Sequence, residues 1–517
     1  MGKSFTQAPR DKKFINMAEN EGSFADSSLI IFLSSLDKTE LREFDKFIHS
    51  PFHNNRSEVS RYFDVLKKFH PKFTGSGLSK QNIFSMLYPG TSYKDDVIRR
   101  LSSNLLKAGE EFGAYSMFRK DKFVYNKHLT AFYLSKSAQK LLARQINKTE
   151  SELLASPCRD AAFFLNMSFL EEYRRLGSIR KDSSGRKIDV QDQIDSIWKF
   201  AAITLFRLYK IASEHSRQFD MAYNLNNLSL LFELIDKTGF MGSKALEIWY
   251  LVMKLQSHPD DATFYRLKKV FTANSNLFEP VEGFVIYVSL LGYCYEKNIL
   301  ATENFHVEEY EIMRAMLAGG LLIQDNVFHP EWFIYAVISS LRAGKLKFAQ
   351  DLVNEYSALL PPSEADNVLE HAFAEIAIET GNYDKALKHL AVSKYNNIAE
   401  KLRANHMYLK IYYEQGLSEQ FFYNIDSFKH LIKNEVSLSK SVKQLRENFI
   451  KYAVKLFRIK LNESGEDPGA VKKEILKTPI MGNKWLLQKA DELLNLHASG
   501  KPSSRKNSTR GSAARRK

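Results

Sequence analysis

The sequence has few of the features that mark secreted, disulfide-bonded or membrane-spanning proteins. Among 517 residues there are two cysteines, Cys158 and Cys294, too few for a disulfide framework or a metal-binding set, which favours a reducing compartment. Residues 1–22 contain no apolar segment of the kind that a signal peptide requires. The longest nearly uncharged run, 284–295, covers about 12 residues, whereas a membrane-spanning helix needs about 20. We therefore expect a cytoplasmic protein without a membrane span.

Proline and glycine are also scarce, with 13 and 23 residues respectively, which favours long helices over many short strands. The apolar content of 44% is sufficient for a large hydrophobic core. No alternation of apolar and polar residues lasts long enough to indicate a sheet, whereas helical spacing recurs along most of the chain. One example is the stripe of Ile194, Trp198, Ala201, Leu205 and Leu208. The sequence therefore predicts an all-α fold.

Motifs typical of enzymes and cofactor sites are missing as well. The segment FTGSGLSKQ, residues 73–81, has glycines and a lysine but not the spacing of a phosphate-binding loop. The sequence contains no zinc-protease motif, nucleophile elbow or Cys–His signature. His371 and Glu375 lie one helical turn apart, but two ligands do not make a metal site. We expect a protein that is not an enzyme and has no catalytic residues, cofactor or metal.

Composition and periodicity divide the chain into five segments. Asp37 and Glu40 predict a capping box at the start of the first clear helix, and Ser92 with Asp95 predicts another. The polar ends of the chain lack periodicity, so we expect them to be disordered. The predicted segments are a disordered N-terminal segment (1–27), an N-terminal helical domain (28–125), an array of helical hairpins (126–329), repeats followed by C-terminal helices (330–492) and a disordered basic tail (493–517).

Three segments of the C-terminal half can be aligned on a shared glycine. Gly344, Gly381 and Gly416 are spaced by 37 and 35 residues, and each lies between two apolar helical stretches. A fixed period of this size with one turn in each unit is typical of stacked helical pairs. Because one such unit cannot bury its own apolar face, neighbouring units must stack into a solenoid.

These units resemble tetratricopeptide repeats, which are helix–turn–helix units of 34 residues, and the resemblance is best over residues 330–432. Small residues lie where the two helices of a unit would touch, although Phe421 and Phe428 replace them in the third unit. The resemblance implies an elongated α-α superhelix of antiparallel hairpins. The matching positions are Phe333, Ala349, Val353 and Pro361 in the first unit, Ala374, Ala377, Tyr383, Ala386 and Leu390 in the second, and Leu409 and Tyr412 in the third.

The same resemblance implies that the first helix of each unit lines a concave groove for a protein or peptide partner. Such a lining, charged and aromatic, suits the backbone and charged side chains of a peptide. The alternative is that these residues form the ordinary solvated face of amphipathic helices. The predicted groove residues are Glu331, Arg342, His371, Glu375, Arg403, His406, Lys410 and Tyr413.

The net charge of +14 suggests a second function, in nucleic-acid binding. Seven basic residues and no acid follow residue 500, and such a tail can bind a polyanion by releasing counterions, or merely aid solubility. The segment 78–112 vaguely resembles the helices of winged-helix activators, but the sequence shows no hairpin for a wing, and two ordinary amphipathic helices explain the segment more simply. The candidate contacts are Arg505, Lys506, Arg510, Arg515, Arg516 and Lys517 in the tail, and Arg99, Arg100, Ser102, Ser103 and Asn104 in the helical segment.

Overall fold

The structure is a computed structural model that describes residues 24–75, 77–181, 190–219, 221–300, 304–395 and 397–498. The predicted all-α fold is confirmed, because the described residues form 23 α-helices and only one pair of two-residue strands. The strands β1 (Ile323–Gln324) and β2 (Val327–Phe328) pair in antiparallel fashion, with Ile323 opposite Phe328.

The helices follow one another with short connections. The first eight are α1 (Ser28–Ser35), α2 (Lys38–Ile48), α3 (Ser57–Leu66), α4 (Lys80–Leu87), α5 (Asp95–Lys120), α6 (Lys122–Ser135), α7 (Gln139–Ala155) and α8 (Ala161–Lys181). The next seven are α9 (Gln191–Phe219), α10 (Asn227–Thr238), α11 (Lys244–Ser257), α12 (Asp261–Ala273), α13 (Pro280–Ile299), α14 (His306–Ala318) and α15 (Pro330–Arg342). The last eight are α16 (Leu346–Tyr356), α17 (Ala365–Glu379), α18 (Tyr383–Val392), α19 (Ile398–Gln415), α20 (Ser418–Asn434), α21 (Lys440–Lys460), α22 (Pro468–Lys477) and α23 (Asn483–Ala498).

These helices form two compact units. The first comprises the described residues up to Thr149 together with the end of α8 from Leu176, and the second comprises Glu150–Arg175 and the described residues from 190 onward. The division after Thr149 differs from the predicted boundary after residue 125, which falls inside α6. The described chain ends in helix α23, so the predicted start of the disordered tail at 493 is wrong.

Local signals place the helix starts of the first unit. Asp37 accepts hydrogen bonds from the backbone of Thr39 and Glu40, and the Glu40 side chain returns one to Asp37, which confirms the predicted capping box. The second predicted box is wrong, because α5 begins at Asp95 after Lys94 and has no side-chain cap. The core that these helices enclose contains many buried aromatic rings. The ring centre of Phe44, for example, lies 5.0 Å from that of Phe63 and 5.2 Å from that of Phe112.

The second unit contains successive helical hairpins that pack on one another, from α11 and α12 to α19 and α20. The shared glycines lie at their turns, where Gly344, Gly381 and Gly416 have φ of +72°, +71° and +70°. After α17, for example, the amide of Asn382 donates to the carbonyl of Ala377, which closes a left-handed helix cap. Glycine is favoured there because a side chain adds strain at positive φ.

The small residues predicted between paired helices are buried. In the hairpin of α17 and α18, Ala374 and Ala386 are fully buried and share one apolar cluster with Leu390. We expect Ala386→Leu to lower the free energy of unfolding by roughly 1–3 kcal/mol, because the added atoms would overpack the contact between the two helices. Chemical denaturation checks this, and an unchanged stability would show that the helices can separate freely.

The stripe predicted on α9 faces outward. Ile194, Trp198, Leu205 and Leu208 are exposed, with 56% of the Leu208 surface accessible. The buried side of α9 is a second apolar row that includes Phe206. The periodicity identified a helix correctly, but it could not distinguish the side that packs against α11 from the side that does not.

Candidate partner-binding site

The eight predicted groove residues lie on the first helices of three hairpins. Glu331 and Arg342 are on α15, His371 and Glu375 on α17, and the other four on α19. The structure brings two of them together directly: both terminal nitrogens of Arg403 contact the carboxylate of Glu331 at 3.2–3.3 Å. Because Glu331 is on α15 and Arg403 is on α19, 72 positions later, the pair links the first and third hairpins.

The C-terminal helices of the same chain cover much of this row. The His406 ring stacks on Phe449 of α21 with ring centres 3.9 Å apart. A side chain at Gly482, just before α23, would approach His406 to 2.8 Å, so the absence of one permits this close contact. His406 is therefore enclosed by α21 and by the start of α23.

Tyr413, one of the predicted groove residues, lies in the core and offers a partner almost no accessible surface. The side chain is 2% exposed. Its ring contacts Trp485 of α23 at 4.9 Å and Phe457 of α21 at 5.4 Å, while Lys460 lies over its face at 4.7 Å. Tyr413 therefore lies on the side of α19 that α21 and α23 cover.

Lys410, another predicted groove residue, lies beside α23. Its ammonium lies 6.0 Å from the ring centre of Trp485. Burial lowers the pKa of Lys410, an effect that Glu375 opposes and the positive charge of Arg342 reinforces. Among the eight predicted groove residues, Arg342 is exposed, and the side chain of Glu331 is 45% accessible.

The segment that covers the row is fixed by backbone contacts. The amide of Ile480 donates to the carbonyl of Ile299 at 3.1 Å, and the side-chain amide of Asn483 donates to the same carbonyl at 2.9 Å. Lys484 donates to the carbonyl of Arg342 at 2.5 Å, at the end of α15. Sequence reasoning did not predict these contacts, because no local signal pairs a C-terminal helix with residues more than 140 positions earlier.

A second candidate surface is the outer face of α9. Beside it is a pocket of about 440 Å³ lined by Gln193, Ile194, Ile197, Trp198 and Ala201. Contiguous exposed apolar residues often mark interaction sites. The polar groups of its lining side chains are the amide of Gln193 and the indole N–H of Trp198.

In the first unit, three residues could in principle hold a cation. One ligand atom from each of Asp45, His49 and Asp64 lies within 4.8 Å of the others. However, the ammonium of Lys67 already contacts Asp45 at 3.1 Å and Asp64 at 2.6 Å. The group is therefore explained as an ion-pair network with Lys67 as its cation.

The segment 78–112 forms α4 and the first part of α5. Arg99 and Arg100 are exposed and form ion pairs with Asp95 and Glu58. Ser102 points inward, with its hydroxyl 2.7 Å from that of Tyr62. A wing would be a β-hairpin next to this segment. Within the described residues the only strands are at 323–328, far along the chain from it. The predicted tail contacts from Arg505 to Lys517 lie outside the described residues.

Comparisons with protein-family models, with curated proteins and with solved structures find no match for this chain. In the part of the chain that the structure describes, no helix is both long enough and apolar enough to cross a membrane.

Proposed function

We propose that this protein is a non-enzymatic scaffold of the cytoplasm, in which tetratricopeptide-like hairpins form an α-α superhelix that binds a protein or peptide partner. The observation that supports this most is the repeated construction of the hairpins of α15 to α20, each turned by a glycine cap. Repeats of this kind present one face of successive first helices as a continuous binding surface.

The partner contacts the exposed side chains at the edge of that face, beside the point where Lys484 of α23 donates to the carbonyl of Arg342. Arg342 is exposed at the end of α15, and Glu379 is exposed at the end of α17. On α19 the face is occupied by Trp485 and Phe449, which pack against Tyr413 and His406. A partner at the exposed edge therefore needs an acidic group for Arg342 and a donor for Glu379, since charge complementarity determines specificity and association rate.

A photo-crosslinking residue placed at Arg342 tests this, with the same residue at Glu355 on the exposed side of α16 as the matched control. We expect one partner to crosslink at position 342 and not at 355. The partner, once identified by mass spectrometry and purified, should bind Arg342→Ala roughly tenfold more weakly than the unchanged protein. Equal crosslinking at both positions, or equal affinity of the two proteins, contradicts the assignment of this face.

Nucleic-acid binding through the basic tail is the second candidate function. It is favoured by the seven basic residues and the absence of any acid after residue 500. Binding of this kind would weaken steeply with salt and would be lost when residues 500–517 are removed. Binding that survives the truncation would transfer the hypothesis to Arg99 and Arg100.

A further inference from the structure

Three unpaired nitrogen atoms occur on neighbouring helices of the second unit. Within the described residues, five buried side-chain nitrogen or oxygen atoms have no hydrogen-bond partner. Three of these five are Nε2 of His371, Nε of Arg403 and Nε of Arg446. Buried polar groups are normally paired, because an unpaired one loses the hydrogen bonds that it makes to water in the unfolded chain. Three unpaired nitrogen atoms in one region therefore suggest a ligand that accepts hydrogen bonds.

The packing of α19 against α21 brings Arg403 and Arg446 to the same height along the two helix axes. Phe449 stacks on His406, and further along both helices Lys460 donates to the carbonyl of Tyr413. The two helices therefore run in the same direction. Arg446 precedes Phe449 by three residues, as Arg403 precedes His406, so the two arginines lie one helical turn before the stacked rings.

His371 joins them from α17. It is 2% exposed, and its ring lies 5.6 Å from that of Tyr395. Burial lowers the pKa of His371, and the charge of Arg403 lowers it further. Burial likewise lowers the pKa of Arg446, to about 10, and Arg403 again contributes. The ion pair of Arg403 with Glu331 joins α19 to α15 across the intervening α17, which is the helix of His371.

The positive charge of Arg446, unlike that of Arg403, is not balanced by a neighbouring carboxylate of the described chain. Arg403 has Glu331 as its partner, and Glu400 is a second acid near His371. Arg446 has no carboxylate within ion-pair distance in the described part of the chain. Its Nε donor is therefore the one that an external anion would satisfy first, since arginine binds oxyanions through several hydrogen bonds.

We propose that His371, Arg403 and Arg446 form a binding site for a phosphate group, at the place where α17, α19 and α21 meet. A tetrahedral phosphate presents acceptor oxygens in several directions and can therefore receive donors from three helices. A planar carboxylate presents two oxygens in one plane, which suits a single arginine better. The proposal deepens the proposed function, since it makes a phosphorylated group the feature of the partner that this site recognises.

Titration of the full chain with inorganic phosphate at constant ionic strength tests the site without the partner, with binding followed by calorimetry. Arg446→Gln removes the unpaired guanidinium, and we expect it to weaken phosphate binding roughly tenfold or more. Lys451→Gln is the matched control, because it removes one positive charge from an exposed position of the same helix. We expect Lys451→Gln to leave phosphate binding unchanged. Arg446→Lys, which keeps the charge, guards against a folding defect and should recover part of the affinity.

Each outcome decides for or against the site. Equal loss in Arg446→Gln and Lys451→Gln shows nonspecific attraction by net charge and overturns the proposal. Acetate binding as tightly as phosphate overturns the assignment to phosphate. A protein that crosslinks its partner at position 342 but binds no phosphate refutes this site and leaves the proposed function intact. Phosphate binding without any partner at position 342 has the opposite meaning, because it supports the site and refutes the proposed function.

Discussion

Tyr413→Ala is expected to lower the free energy of unfolding by about 3–5 kcal/mol, because it deletes a buried aromatic ring at the junction of four helices, α19, α20, α21 and α23. The ring lies between Trp485, Phe457 and Phe421, so the cavity left behind would be lined by large rigid rings that cannot collapse into it. Denaturant unfolding monitored by circular dichroism measures the loss.

Tyr423→Ala is the matched control for that variant. Tyr423 is on the neighbouring helix α20 and is 80% exposed, so its removal should change the free energy of unfolding by less than about 0.5 kcal/mol. If Tyr413→Ala were as stable as this control, the C-terminal helices would not be packed on α19 in solution. Residues 403–413 would then form the open groove that the sequence predicted.

The sequence predicted the helices and their turns better than it predicted which helices pack against one another. The glycine turns at Gly344, Gly381 and Gly416 and the capping box at Asp37 depend on residues close in the chain, and the structure contains all of them. Local chemistry of this kind can be recognised from spacing alone. The second capping box failed because Asp95 became the first residue of its helix, which is a difference of a few residues.

The candidate site could be predicted only in part, because what covers it comes from far along the chain. The spacing of Arg403, His406 and Lys410 correctly placed them on one side of α19. Whether that side is open depends on Phe449 and Trp485, whose position is determined by contacts such as those of Asn483 with α13. Arg446 was missed for the same reason, since an isolated arginine in an amphipathic helix has no recognisable pattern.

A buried carboxylate in α14 is expected to control the acid stability of the second unit. Glu309 is 1% exposed and accepts hydrogen bonds from the hydroxyl of Tyr335 at 2.5 Å and from the side-chain amide of Asn298 at 3.1 Å. Nδ1 of His306 lies 3.4 Å away. Burial alone would raise the pKa of Glu309, but His306, Arg342 and Tyr335 together lower it below its ordinary value of 4.5.

A carboxyl group whose pKa is lower in the folded chain than in the unfolded chain stabilises the fold above the unfolded pKa. That stabilisation is lost as the pH falls through the folded value. At neutral pH we expect Glu309→Ala to cost roughly 2–5 kcal/mol, because it leaves the donors of Tyr335 and Asn298 unpaired in a buried place. The difference in unfolding free energy between the variant and the unchanged protein should then shrink progressively below about pH 4.5.

Unfolding curves at several pH values between about 3 and 7 test this, with Glu355→Ala on the exposed side of α16 as the control. The control should change the free energy of unfolding by less than about 0.5 kcal/mol at every pH, since an exposed carboxylate gains little from folding. A cost for Glu309→Ala that stays constant with pH would mean that the pKa of Glu309 is the same in the folded and the unfolded chain. In that case the charged and the neutral carboxyl group would stabilise the fold equally, and the charge of Arg342 would give no net stabilisation.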